Sequence, residues 1–252
     1  MDKMMELRRY MTGSWGELME AKAKEQHVHE VFERIAPKYD FMNDLLSFRR
    51  HKAWRAFAMK KMNVQPGQTA LDLCCGTCDW TIAIAERNGD ASVTGLDFSE
   101  QMLKVGRHKI ERKGLQHKIE LIQGNAMELP FADDTYDFVT IGFGLRNLPD
   151  YHKALQEMYR VVKPGGRVIC LELSKPIWQP FKGMYYIYLK GILPLLGKLF
   201  AKSYRQYKWL PESLAMFPDH LELKAIFLEV GFTHVEAYPL TGGIAALHIG
   251  VK

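Results

Sequence analysis

The sequence predicts an α/β fold: a mainly parallel, seven-stranded sheet closed at its C-terminal end by an antiparallel hairpin. Three observations predict it. Between residues 69 and 174, short apolar runs alternate with helix-like stretches, the rhythm of strand–helix–strand units. After Gly231, two strand-like runs are joined only by Pro239-Leu-Thr-Gly-Gly243, a link short enough to make them antiparallel neighbours. And residues 69–80, TALDLCCGTCDW, read as a strand, a turn of small residues and a helix start. A loop of that kind lets a nucleotide-like ligand approach the backbone closely.

The elements follow in order. Strand-like runs are Ala70–Leu73, Ser92–Leu96, Ile119–Gln123, Phe138–Gly142 and Arg167–Leu173. Helix-like stretches at Trp80–Arg87, Glu100–Lys113 and Lys153–Val162 separate them. A further helix, His220–Val230, stops at Gly231, a residue type suited to a helix end. The last strands are Thr233–Tyr238 and Ile244–Val251. Residues 1–65 look helical and precede the first strand. Residues 176–215 interrupt the rhythm with aromatic, apolar and lysine residues. The chain therefore divides into an N-terminal helical segment (1–65) and a main domain (66–252) carrying that insertion. A parallel sheet ending in one antiparallel hairpin is the Rossmann-like layout of S-adenosylmethionine-dependent methyltransferases, although layout alone does not give function.

Bulk properties narrow the class. With 252 residues, 47% of them apolar, the chain can build a sizeable core. A net charge of +5 is mild, and no aromatic-interleaved basic run argues for nucleic acid. No uncharged apolar run reaches the roughly 18 residues of a membrane span. The N-terminus, MDKMMELRRYM, lacks the apolar centre of a secretory signal. Three of the four cysteines fall within 74–78, too close for a disulfide framework and in keeping with the cytoplasm. No paired ligand set for zinc follows them, so no metal is expected.

The turn itself has two readings. Cys75-Gly-Thr-Cys78 spells C-x-x-C, a redox dithiol signature. It also stands as a cofactor turn with one glycine where a strict dinucleotide fingerprint has three. The context favours the second reading, because polar residues recur at successive strand ends. Asp72 ends the first strand and is placed to anchor the loop or hold a ligand ammonium. Gly76 and Thr77 offer N–H groups and a hydroxyl. Asp97 ends the second strand at the separation expected of a ribose-binding acid. Phe98 follows as an adenine-stacking candidate, and Asn125-Ala126 after the third strand offers hydrogen bonds to an adenine edge. Each has a plainer alternative: a helix cap, a loop residue or a core ring.

Three longer motifs sharpen this. Tyr39-Asp-Phe-Met-Asn43 continues through Ser47, His51 and Trp54; Phe143-Gly-Leu-Arg-Asn147 follows the fourth strand; Arg160-Val-Val-Lys-Pro-Gly-Gly runs on to Glu172-Leu-Ser174. Together they closely resemble the C-methyltransferases of menaquinone and ubiquinone biosynthesis, over residues 28 to 252. The resemblance implies a cytoplasmic enzyme that methylates a ring carbon of a polyprenylated quinol with S-adenosylmethionine. It puts cofactor contacts on Thr77, Asp97, Asn125 and Ala126, and finds Gly142 where some relatives carry a serine. The Cys-Cys-Gly-Thr turn and Gly142 are similar to the naphthoquinol-specific type, so the implied acceptor is a demethylmenaquinol. The benzoquinol of the ubiquinone pathway is the alternative within the family.

Ring-carbon methylation needs a phenolate held and a proton removed. Arg146 and Asn147, after the fourth strand, are candidates to hold the oxyanion and orient the quinol. The competing reading pairs Arg146 structurally with Asp150 or another acid. Tyr39 and His51 are candidate bases on a helical lid; packing is the other reading of His51 and Trp54, three apart on one helix face. An insoluble prenyl tail requires a sheltered path. Residues 177–210, with Trp178, Phe181, Tyr185, Tyr186, Tyr188 and Trp209 interleaved with Lys182, Lys190, Lys198 and Lys202, suit a bilayer interface on the inner face of the plasma membrane. A packed helical insertion or a homodimer contact are the alternatives. Three rival functions remain: a same-fold methyltransferase of another small molecule, a dinucleotide oxidoreductase and a thiol redox protein.

Overall fold

The computed structural model describes residues 22–26, 28–192 and 204–252. Of the segments singled out above, residues 1–21 and 193–203, Lys198 and Lys202 included, lie outside the described residues. Residues 22–26 and 28–35 are helical. They lead through a short 3-10 turn, Ala36–Lys38, into α1 (Tyr39–Leu46) and α2 (Arg50–Met62).

The alternating region follows: β1 (Ala70–Leu73), α3 (Asp79–Ala85), β2 (Val93–Asp97), α4 (Glu100–Lys113), β3 (Ile119–Gln123), β4 (Tyr136–Gly142), α5 (Tyr151–Val161) and β5 (Val162–Leu173). Helices α6 (Gln179–Ile187), α7 (Tyr204–Met216) and α8 (His220–Val230) precede β6 (Thr233–Leu240) and β7 (Ala245–Val251). The seven strands form one sheet in the order β3-β2-β1-β4-β5-β7-β6. The first five are parallel, and β7 runs antiparallel to both β5 and β6. The order reverses between β1 and β4, and the carboxyl ends of these two strands flank the crevice where such sheets hold ligands.

The strand pattern explains the two-faced core. Leu71, Leu73, Val139, Ile141, Val168 and Cys170 pack with α5 and α8 on one face. Their neighbours Ala70, Phe138, Ile169 and Leu171 pack with Trp54, Ala58, Met59 and Met62 of α2 on the other. Period-2 alternation thus sends successive apolar residues to opposite faces, both covered by helices. Helix ends follow local chemistry. Ser99 accepts from Met102 N to start α4, and Asp219 with Glu222 forms a capping box on α8.

Two turns differ from expectation. Pro239 and Leu240 extend β6, leaving Thr241–Gly243 as the hairpin's connection. Val162–Gly166 is extended as part of β5 instead of standing before it: Val162 pairs with Tyr136, and the register shifts before the regular ladder begins at Arg167. Gly165, at φ +76°, absorbs that irregularity.

Candidate active site

The loop after β1 carries three left-handed residues: Cys74 at φ 50°, Gly76 at 55° and Cys78 at 64°. Two hydrogen bonds clamp it to the end of β2. Cys75 N donates to Leu96 O at 3.1 Å, and Gly76 N to Asp97 Oδ2 at 2.8 Å. The loop after β4 meets it at Gly144, where a Cβ would lie 2.4 Å from that of Cys74. Only glycine permits that approach.

Around this junction lies a first cavity of about 680 Å³ counting its mouth. Gly76, Asp97, Phe98, Asn125, Ala126 and Gly142 all line it, so the strand ends do converge. Asp97 is buried and also accepts from Ser99 N at 2.9 Å. Burial raises its carboxyl to about 6, partly opposed by these N–H groups and reinforced by the charge of Asp72. Phe98 meets His29 edge-on at 5.2 Å between ring centres. Asn125 Oδ1 accepts from Met127 N at 2.9 Å. A serine at Gly142 would push its Cβ to 2.8 Å from the ring of Trp80. Packing of Trp80 therefore accounts for glycine there.

Asp72 and Thr77 line neither cavity. The oxygens of Asp72, buried under the sheet's end, accept from Thr81 and Thr140 hydroxyls, each at 2.7 Å. Thr77 donates to Asp40 Oδ1 at 2.6 Å, tying the loop to α1. Asp40 also receives Lys109 at 2.9 Å; Lys109 pairs with Asp79, which accepts from Arg55 Nη1 at 3.1 Å. Nothing in the spacing of these residues signalled this link between helices and loop.

The dithiol reading finds no chemical support. Burial holds the Cys74 and Cys75 thiols well above their ordinary range, so the reactive thiolate is disfavoured. Cys75 and Cys78 stand 4.0 Å apart, sulfur to sulfur, and fill the turn as small packing groups.

A second cavity of about 1710 Å³, counting its mouth, opens beside the first. Its walls come from residues 31–54, the loop after β4, α6 and the turn before β7. Four residues line both cavities: Phe32, Tyr39, Phe143 and Asn147. Arg146 and His51 line the second alone.

Arg146 pairs with an acid, but the acid is Glu172, not Asp150. Its Nη1 donates to Glu172 Oε1 at 2.6 Å and to Phe143 O at 2.7 Å. Its backbone N donates to Glu172 Oε2 at 3.1 Å. Arg146 is 8% exposed and Glu172 1%, so the pair is desolvated. The Arg146 Nε is buried without a partner, a donor left for an acceptor beside it. Asp150 instead caps α5, accepting from Lys153 N at 2.9 Å. Asn147 Nδ2 donates to Phe143 O at 3.2 Å.

Burial pushes the Tyr39 phenol up, against a hydrogen bond with Asn43 and the charge of Arg146. Tyr39 is therefore a neutral donor. Tyr185, read from the sequence only as one of a run of aromatics for prenyl or membrane contact, lines the second cavity with its phenol pushed up by burial. His51 is lowered by burial and by Arg55, hence neutral near pH 7. Its Nδ1 lies 2.6 Å from Ser47 Oγ, which is also 2.6 Å from Asn43 O, and its Nε2 lies 3.5 Å from Asp44 Oδ1, a carboxylate placed to stabilise an imidazolium. Trp54, one helical turn on, donates to Thr241 Oγ1 at 2.8 Å.

Comparison with known proteins adds identity to this geometry. The model of the ubiE/COQ5 methyltransferase family matches residues 20–252. A demethylmenaquinone methyltransferase of Bacillus pumilus is 59% identical, covering 92% of this chain and 99% of that protein. One of Bacillus mycoides is 57% identical, covering 92% and 98%. Among solved structures, a possible histamine N-methyltransferase of Thermotoga maritima superposes with a TM-score of 0.63 at 19% identity, covering 90% of this chain and 100% of that one. That likeness concerns the fold.

Proposed function

The chain belongs to the ubiE/COQ5 methyltransferase family, and on that premise we propose that it methylates a ring carbon of a demethylmenaquinol, a 2-polyprenyl-1,4-naphthoquinol, to give a menaquinol. S-adenosylmethionine is the methyl source; when bound, its sulfonium would supply an electrophilic methyl group to the acceptor carbon. Relatives at 57–59% identity that carry the name demethylmenaquinone methyltransferase support the acceptor. The observation that carries the reading is the shared wall: a cleft at the strand ends, with Asp97 and Asn125 in its lining, has Phe32, Tyr39, Phe143 and Asn147 in common with a larger, mostly aromatic and aliphatic cavity.

The residues divide between the two sides. On the donor side, Asp97 would accept from the ribose hydroxyls, Phe98 would hold the adenine ring, and Asn125 with Ala126 would meet its polar edge. Gly76 and its clamp on Asp97 shape the floor. Thr77 and Asp72 act at one remove, Thr77 by holding α1 through Asp40 and Asp72 by tying the ends of β1, β4 and α3 together.

On the acceptor side, Arg146 turns its unpaired N–H toward the ring oxygen and stabilises the phenolate, with the neutral phenol of Tyr39 as a second donor. Asn147 orients the ring. Neutral His51 accepts the hydroxyl proton, and Asp44 holds the resulting charge. Methyl transfer would form the C–C bond with the ring's electron pair as the C–S bond breaks toward sulfur. The proton of the methylated carbon then leaves to water, restoring aromaticity, and His51 returns its proton to the ring oxygen to give the menaquinol. Residues 22–26 and 28–62 form the cover, since Glu25, Val28, Phe32 and Tyr39 all face the first cavity.

The tail has an exit. Phe48 and Met184, at the second cavity, are 73% and 61% exposed, and Trp178 and Ile187 nearby in sequence 63% and 69%. Arg49 and Lys52, both paired with Asp44, leave one net positive charge close to Phe48 in sequence. We read this rim as a peripheral docking surface on an anionic membrane, on the cytoplasmic side. No described helix is long and apolar enough to cross a bilayer.

The test is product analysis after incubation with S-adenosylmethionine and chemically reduced demethylmenaquinol. A methylated naphthoquinol and one S-adenosylhomocysteine per turnover are expected. Turnover of a benzoquinol alone would move the protein to the ubiquinone pathway, and no turnover of either would sink the reading.

A further inference from the structure

Glu172 was part of a recognition motif with no role of its own, yet no other carboxylate among the described residues is more deeply buried. It stands on β5 with the rest of the sheet's interior, one residue before the strand ends. Three donors converge on it: Arg146 N on Oε2 at 3.1 Å, Arg146 Nη1 on Oε1 at 2.6 Å and Leu173 N on Oε1 at 2.7 Å. Two of the three come from one residue, its backbone and the tip of its side chain. A carboxylate that grips both ends of an arginine fixes the 3-10 turn Leu145–Asn147 and the guanidinium plane together.

Building on the acceptor-side reading above, we infer that Glu172 is the positioning residue for Arg146. It occupies Nη1 and the backbone N–H, and so holds the unpartnered Nε beside the second cavity at the height where the quinol oxygen must sit. The same grip aligns Asn147, which shares the turn and the Phe143 carbonyl with Arg146. A neutral amide cannot replace it. Glutamine keeps one acceptor oxygen but turns an NH2 group toward a donor N–H, on Arg146 or on Leu173. A shorter aspartate cannot reach all three donors. Neither substitution touches the first cavity, which Glu172 does not line.

The experiment uses the full chain with S-adenosylmethionine and a reduced demethylmenaquinol, comparing wild type, Glu172→Gln, Arg146→Gln and the double variant. Single-turnover rates are measured beside S-adenosylhomocysteine affinity by calorimetry. Glu172→Gln is expected to lower the methylation rate about 10²-fold, the scale of an ångström-sized misplacement, with S-adenosylhomocysteine affinity unchanged. The double variant is expected to be no slower than Arg146→Gln alone, since the carboxylate acts only through the arginine. A Glu172→Gln rate within twofold of wild type, or losses that multiply in the double variant, would overturn the inference while leaving the function standing. Wild type without turnover would overturn both. If Glu172→Gln fails to bind S-adenosylhomocysteine because it does not fold, Glu172→Asp takes its place: slowed methylation at full affinity supports the positioning role. Loss of folding there as well would make the residue structural and end the proposal.

Discussion

The two cavities share four wall residues but are built in opposite ways. The floor of the first is made of strand ends: the loops after β1, β2, β3 and β4 each contribute within a few residues of an apolar run, and Glu25, Val28, Phe32 and Tyr39 cover them. The second is made of distant pieces of chain, among them α1, α2, α6 and the turn at Thr241, which meet only because the sheet and its helices bring them together. The floor of the first cavity is therefore a property of local backbone, and the second cavity a property of assembly. It follows that substitutions on one side should leave the other side's measurable untouched.

The strongest attempt to break that separation is Arg146→Lys. A lysine loses the planar fork and the grip of Glu172, and the methylation rate should fall about 10²–10³-fold, the range for an oxyanion donor. S-adenosylhomocysteine affinity should not move; a large loss there would show that the two sides are one site.

The mirror experiment is Asp97→Asn. Calorimetry should find S-adenosylhomocysteine binding weaker by about 10–10², the loss of a charge-assisted hydrogen bond, with quinol KM unchanged. A pH series sharpens this. The carboxyl of Asp97 is raised to about 6 by burial and by Asp72. Ribose hydroxyls donate to the ionised form, so binding must expel a proton below that value. Affinity should be flat above pH 6 and fall about tenfold per unit below it, and Asp97→Asn should abolish the slope. The same raised carboxyl ties stability to pH: its contribution is full below 3.8, where native and unfolded forms both hold the proton, and is lost as pH rises to about 6, because the unfolded carboxyl ionises first.

A smaller effect tests the rim. Serine at Phe48, Trp178 and Ile187 should raise KM several-fold for quinol presented in anionic vesicles, each losing on the order of 1 kcal/mol of apolar contact. KM for a short-tailed quinol in solution should stay the same. Equal effects on both would turn the rim into part of the cavity instead of a docking surface.

The smallest expected change is Cys75→Ala. With its thiol held protonated by burial, it supplies only packing, worth about 1 kcal/mol or less. Turnover within twofold of wild type and a slightly lower melting temperature are expected. A collapse in turnover would revive thiol chemistry at this turn.

Legibility tracked this same divide. Strands β1 and β3 and helices α4 and α8 occur where the apolar periodicity and their end residues put them, because strand alternation and capping act within a few residues. Asp97, Phe98 and Asn125 were found by their place after a strand. Glu172 was not found, although it too stands near a strand's end: an acid inside an apolar strand is informative only once its partner is known, and Arg146 lies 26 positions away. The Thr77–Asp40 and Lys109–Asp79 links were hidden for the same reason. Tyr185 was named only as one of several neighbouring aromatics, which offer no period to choose between them.

By itself, then, the sequence determined the seven-stranded layout, the family and the strand-end residues that meet at the first cavity, since hydrophobic alternation, turn chemistry and strand-end polarity are written in neighbouring positions. Tertiary structure alone decided which acid holds Arg146, that burial lowers His51, and that two cavities share one wall. Those depend on distances between segments remote in the chain, and on a burial that shifts protons only once the segments have met.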